Sequence, residues 1–131
     1  MMRTTRTGLI KQMGLALAML AALGGAMFLF RSTPAINTAL AAQLTAIADR
    51  WCVEFHDQEI SASEWPDEIR SLHPQFISVR PEGVYLQQGR FLIEAWGVFI
   101  LRAGSEFQPA ACADPSYRLL SGRVYCYEVK G

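Results

Sequence analysis

Histidine, cysteine and net charge are scarce in this 131-residue sequence, which has 2 His, 3 Cys, and 12 Lys plus Arg balanced by 12 Asp plus Glu. So few sulfur and imidazole groups exclude a zinc scaffold or a multi-disulfide framework. A general nucleic-acid binder is also excluded, because phosphate contacts require a surplus of Lys and Arg. Charged residues make up only 18% of the chain and hydrophobic residues 51%, a balance too apolar for disorder. The length accommodates one folded domain at most. No G-x-S-x-G, P-loop, dinucleotide, C-x-x-C or H-E-x-x-H pattern occurs, so no cofactor is implied. The sequence also lacks internal repeats and low-complexity stretches.

Negative charge is missing altogether from the first 31 residues, where Arg3, Arg6, Lys11 and Arg31 are the only ionisable side chains. From Ser32 onward, 8 positive side chains meet 12 negative ones. Between the early cations runs Met13 to Phe30, 18 residues without an ionisable group. As a helix it would span about 27 Å, close to a hydrocarbon core of about 30 Å, with Lys11 snorkelling to the surface. It shows no polar face, unlike a helix that packs on a soluble core. The expected organisation is a basic cytoplasmic segment at 1–12, a transmembrane anchor at 13–30 and an external domain at 31–131, oriented by the positive-inside rule. Ala39-Leu40-Ala41 resembles a signal-peptidase site, so release of a secreted ligand-binding module after Ala41 is the rival. The apolar run is longer than a usual signal-peptide core and lies some ten residues before that site, which favours a retained anchor. Within the anchor, Gly14, Ala18, Ala22 and Ala26 form a row of small residues, the kind of surface on which membrane helices associate.

Beyond the anchor, Thr33 and Pro34 predict a helix start, as N-cap and first helical residue. Ile36, Leu40, Leu44, Ile47, Trp51 and Phe55 then recur at helical spacing and predict an amphipathic helix packed on a core. Seven acids between Asp49 and Glu68 read as a solvated surface. Pro66 to Leu72 predicts a short helix with acids in its first turn, closed by His73 and Pro74.

After Pro74 the apolar period becomes two. Phe76–Arg80, a turn at Pro81-Glu82-Gly83, Val84–Leu86, a second turn at Gln88-Gly89 and the run Arg90–Leu101 predict a meander. Gly97 suggests a bulge or bend that divides the last run into two strands. A loop from Arg102 to Ser116 precedes the strands Tyr117–Leu120 and Arg123–Val129, joined at Ser121-Gly122. Strands gathered after helices give an α+β class: a transmembrane helix, an amphipathic helix and a short helix, with an antiparallel sheet of four or five strands.

Candidate chemistry is sparse. Asp49, Cys52 and His56 are spaced to lie together on the helix, opposite its apolar stripe. A nucleophile–base pair of Cys52 and His56, or a zinc site completed by Cys112 or Cys126, would make a small hydrolase. In an oxidising compartment Cys112 and Cys126 are the expected disulfide, and closing that loop would stabilise the fold by about 3 kcal/mol. Tyr125 and Tyr127 share one strand face, where rings pack against neighbours or present a platform to a glycan or peptide. The expectation that best fits the sequence is a non-catalytic, single-pass accessory protein of the cell envelope. Its partners would be membrane lipid and another membrane or envelope protein, or a second copy of itself.

Overall fold

A computed structural model describes residues Thr33–Gly131. The expected anchor at 13–30, with Gly14, Ala18, Ala22 and Ala26, lies outside the described residues. Helix α1 spans Thr38–Glu54 and starts later than Thr33 and Pro34 predict. Asn37 is the N-cap, its side-chain oxygen accepting the Leu40 backbone N–H at 2.8 Å. The Thr33 hydroxyl is taken instead by the Arg118 guanidinium, and Pro34 stands in the irregular stretch before the helix. The helix stops where Phe55 turns extended (φ −122°, ψ 140°), its N–H bonded to Trp51 O at 2.8 Å.

The buried line of α1 runs through Ala41, Leu44, Ala48, Trp51 and Cys52. Leu44 and Trp51 belong to the expected stripe, but Ile36, Leu40, Ile47 and Phe55 flank the core only partly buried. The stripe is displaced because Ala41 and Ala48, being small, face the sheet directly while the larger aliphatics close over its margins. After a single 3-10 turn at Ala62–Glu64, helix α2 is one turn long, Asp67–Arg70. Arg70 ties the two together, its Nε donating to Trp65 O at 2.8 Å and its Nη2 to Ala62 O at 3.3 Å.

Five strands follow: β1 Phe76–Arg80, β2 Gly83–Phe91, β3 Glu94–Leu101, β4 Ser116–Ser121 and β5 Val124–Val129. They pair antiparallel in the order β1-β2-β3-β5-β4, so the predicted α+β class and antiparallel sheet hold. Ile77, Val79, Val84, Leu86, Val98, Ile100 and Val124 meet α1 in the main core, with Ile60, Ile69 and Leu72 closing the side. Phe99, Tyr117 and Tyr127 form a second, aromatic cluster. Among the described residues no helix is long and apolar enough to cross a membrane.

Two glycines do not act as predicted. Gln88-Gly89 is no turn: β2 passes through it with a register shift between Gln87 and Gly89. A Cβ on Gly89 would stand 2.2 Å from Cζ2 of Trp96, so the glycine makes room for the indole across the strand pair. Nor does Gly97 divide β3, which runs unbroken from Glu94 to Leu101. A Cβ there would lie 2.0 Å from Leu86 O, so Gly97 permits close approach of the neighbouring backbone. The actual turn between β2 and β3 falls at Leu92 and Ile93, with Leu92 in the left-handed region at φ +55°.

Register fixes two ends of the sheet. One end holds the Leu92-Ile93 turn, the start of β4 and the end of β5, because Ala95 pairs with Val129 and Ser116 with Glu128. The other holds the Arg80–Gly83 and Ser121–Val124 turns.

Candidate functional site

Asp49, Cys52 and His56 do not form the exposed face expected of them. Asp49 is engaged by Arg123, just before β5, through hydrogen bonds of 2.9 Å from Nη1 and 2.7 Å from Nη2. Arg123 Nη1 also donates to Leu101 O at 3.0 Å, which fixes the C-terminal half of α1 to the sheet. The Arg123 guanidinium holds the Asp49 carboxyl below the usual carboxylate range. Cys52 faces the core and is 2% exposed, a consequence of the displaced stripe, and burial pushes its thiol up. His56 is exposed and lies beyond the end of α1, before Asp57 at φ +49°. Helical spacing therefore does not extend to His56, and the thiol meets apolar side chains in place of a base. Among the described residues, no group of three or more His, Cys, Asp and Glu is placed to hold a metal ion.

All three thiols are free: Cys52 is buried, Cys126 half-buried on β5, and Cys112 exposed in the loop between β3 and β4. The structure thus does not join Cys112 to Cys126 as the sequence suggests. Alkylation of the folded chain is expected to label Cys112 readily and to spare Cys52 until denaturant is added. Mass spectrometry checks this, and a denatured chain carrying a single label would instead reveal a bridge.

The sheet face away from α1 carries the richest chemistry. Tyr85 packs on Phe99 with ring centroids 4.6 Å apart, and Phe99 meets Tyr117 at 5.2 Å. Phe107, from the loop after β3, caps Tyr117 at 5.5 Å. Tyr127 is buried against Tyr85 at 5.2 Å, so Tyr125 and Tyr127 serve mainly cross-strand packing, with Tyr125 at its half-buried margin. The Tyr85 hydroxyl donates to Glu82 Oε1 at 2.9 Å and lies 2.8 Å from the Tyr117 hydroxyl. Since a phenol has one proton, Tyr117 donates to Tyr85 and Tyr85 to the carboxylate. Beside this relay opens a cleft of about 560 Å³ lined by Pro81, Glu82, Arg102, Ser105, Glu106 and Phe107. The Ser105 hydroxyl oxygen there accepts the Phe107 N–H at 3.2 Å and so closes the loop.

Burial pushes the phenols of Tyr85, Tyr117 and Tyr127 above the ordinary tyrosine value, and for Tyr85 the bonds to Tyr117 and Glu82 add to it. A phenol raised in the folded state favours folding below the unfolded value of about 10, and that stability is lost as pH rises through the folded value. Alkaline titration is therefore expected to release tyrosinate from these residues together with loss of circular dichroism. Ordinary tyrosine titration of all three in an intact fold would contradict this packing.

Acidic groups sit on the surface as predicted, with Glu54, Asp57, Glu59, Glu64 and Asp67 exposed. Sequence reasoning missed the hairpin tip. Leu92 is 77% exposed, Ile93 68% and Phe91 44%. The signal was present as an apolar Phe-Leu-Ile run, but a turn was assigned to the nearby glycine. No family model, curated protein or solved structure matches this chain.

Proposed function

We propose that the protein is a non-catalytic, single-pass membrane protein whose folded domain docks a partner in the cell envelope. Residues 1–12 lie in the cytoplasm, 13–30 span the membrane, and the domain from 31 onward stands outside the cytoplasm, in the periplasm of a Gram-negative cell. The observation that carries this proposal is the 18-residue uncharged run from Met13 to Phe30, preceded only by positive charges. Retention of the anchor is supported by Ala41, which is buried inside α1. Cleavage after it would remove the Asn37 cap and Leu40, which packs against the core. A non-catalytic role is supported by Cys52, whose thiol faces apolar side chains while His56 lies past the helix end.

Alkaline extraction of membranes carrying the full chain tests the anchor. The intact polypeptide is expected in the pellet even though alkali unfolds the aromatic layer, because only the apolar run then holds it. An intact chain in the cytosol would refute the proposal. A soluble chain beginning at Ala42 would establish the secreted alternative. For the docking role, crosslinking in intact membranes is expected to give discrete protein adducts that persist when Cys52 is replaced by alanine.

A further inference from the structure

We infer that the cleft beside the tyrosine relay receives a lysine or arginine side chain carried by a partner protein, with Glu82 as the anchoring carboxylate and Phe107 as the apolar wall. This inference rests on the docking role proposed above and names the chemistry of the partner.

Negative charge is left over at this end of the sheet. Glu82 offers Oε1 to the Tyr85 hydroxyl at 2.9 Å, and its Oε2 has no hydrogen-bond partner among the described residues. Glu106, exposed on the same cleft, has no ion-pair partner among them. The cations of the two turns are committed elsewhere, Arg80 to Asp57 at 3.9 Å and Arg123 to Asp49 at 2.7 Å. Arg102 is the one cation in the cleft wall; its backbone N–H donates to Glu82 O at 2.9 Å, and its charge also acts on the buried Cys52 thiol. Two carboxylates against one guanidinium leave the cleft net negative, which favours an incoming cation and repels an anion.

A loose acidic surface would only be solvated, but Glu82 is built in. It is half-buried and oriented by Tyr85, whose hydroxyl is backed in turn by that of Tyr117 at 2.8 Å. A carboxylate already fixed in place loses little freedom when a cation binds. Phe107 borders the same space and is 37% exposed. Its ring stands nearly perpendicular to those of Phe99 and Tyr117, at 5.9 and 5.5 Å, and its N–H is held by the Ser105 hydroxyl at 3.2 Å. A fixed ring beside a fixed carboxylate suits a long basic side chain. The ring packs along the aliphatic stem and attracts the charged head, which the carboxylate binds.

Space separates a side chain from a bare ion. A cleft of about 560 Å³ is far larger than an ammonium ion and falls in the range of sites that take organic groups. Its lining residues Ala103, Gly104 and Glu106 are exposed, so a partner's backbone can stay outside while its side chain enters.

The test titrates the full chain in detergent micelles with acetyl-Ala-Lys-Ala-amide, with its arginine and norleucine counterparts, and with putrescine as a free amine. Backbone amide NMR shifts report binding. Saturable shifts confined to 81–82 and 102–107 are expected with the lysine or arginine peptide, at a dissociation constant on the order of 1 mM, since one side chain supplies few contacts. The norleucine peptide is expected to give none. Glu82→Gln, which can still accept the Tyr85 hydroxyl, is expected to weaken binding about tenfold, the loss of one charge-assisted bond. Protection of Cys52 from alkylation shows that this variant is folded. Absence of shifts with both basic peptides, equal shifts with norleucine, or unchanged affinity in folded Glu82→Gln would overturn the inference. Tighter binding of putrescine than of either peptide would assign the cleft to a free amine and overturn it too. If the peptides fail while crosslinking in membranes still gives protein adducts, docking stands and only the cleft assignment falls; if crosslinking gives none, both fall.

Discussion

Replacing Phe99 with alanine is expected to destabilise the domain by about 3–5 kcal/mol. The ring is completely buried and is the hub of the aromatic layer, touching Tyr85, Phe107, Tyr117 and Tyr125 at centroid distances from 4.6 to 6.2 Å. Its neighbours are rigid rings, and two of them, Tyr85 and Tyr117, are held by the hydroxyl relay to Glu82. They cannot readily collapse into the space a truncated side chain would leave. Chemical denaturation of the full chain in detergent, followed by near-ultraviolet circular dichroism, should show a lower midpoint with an unchanged slope. A loss below about 1 kcal/mol would mean that the rings form a loose platform open to ligands, which is the behaviour of an exposed face.

A comparable loss is expected from Gly97→Ala, for a different reason. The added Cβ would sit 2.0 Å from Leu86 O and 2.9 Å from Gln88 N, and both atoms belong to backbone. Neither can rotate away as a side-chain end would, so β2 and β3 must separate locally at the centre of the sheet. Overpacking of this kind costs about 1–3 kcal/mol, and a backbone obstacle places Gly97→Ala at or above the upper end. The same denaturation series measures it, and amide hydrogen exchange should quicken around Leu86 and Gly97 first. Unchanged stability would mean that the strands are further apart than the register implies.

Much of the fold was legible because its causes are local. Alternating residue types from Phe76 to Arg80 mark a strand, and helical spacing from Leu44 to Trp51 marks α1. What escaped depends on partners distant in sequence. Gly89 and Gly97 look like turn and break, yet each is needed by a neighbour across the sheet, the Trp96 ring and the Leu86 carbonyl. The displacement of the α1 stripe follows from the same limitation. A hydrophobic pattern ranks Ile47 above Ala48, whereas packing against a sheet favours the smaller residue at the closest point. That displacement carries Cys52 inward and dissolves the Cys52–His56 pairing that spacing alone had suggested. The hairpin tip was obscured because turns are sought at glycine, and this one is built from Leu92 and Ile93.

The most direct test of the central proposal is a pair of C-terminal fusions, one to alkaline phosphatase, active only outside the cytoplasm, and one to a fluorescent protein that matures only inside it. Fused after Gly131 and expressed in a Gram-negative host, the phosphatase should be active and the fluorescent fusion dark, with both chains uncleaved and sedimenting with membranes. A fluorescent, soluble fusion beside an inactive phosphatase would contradict the proposal.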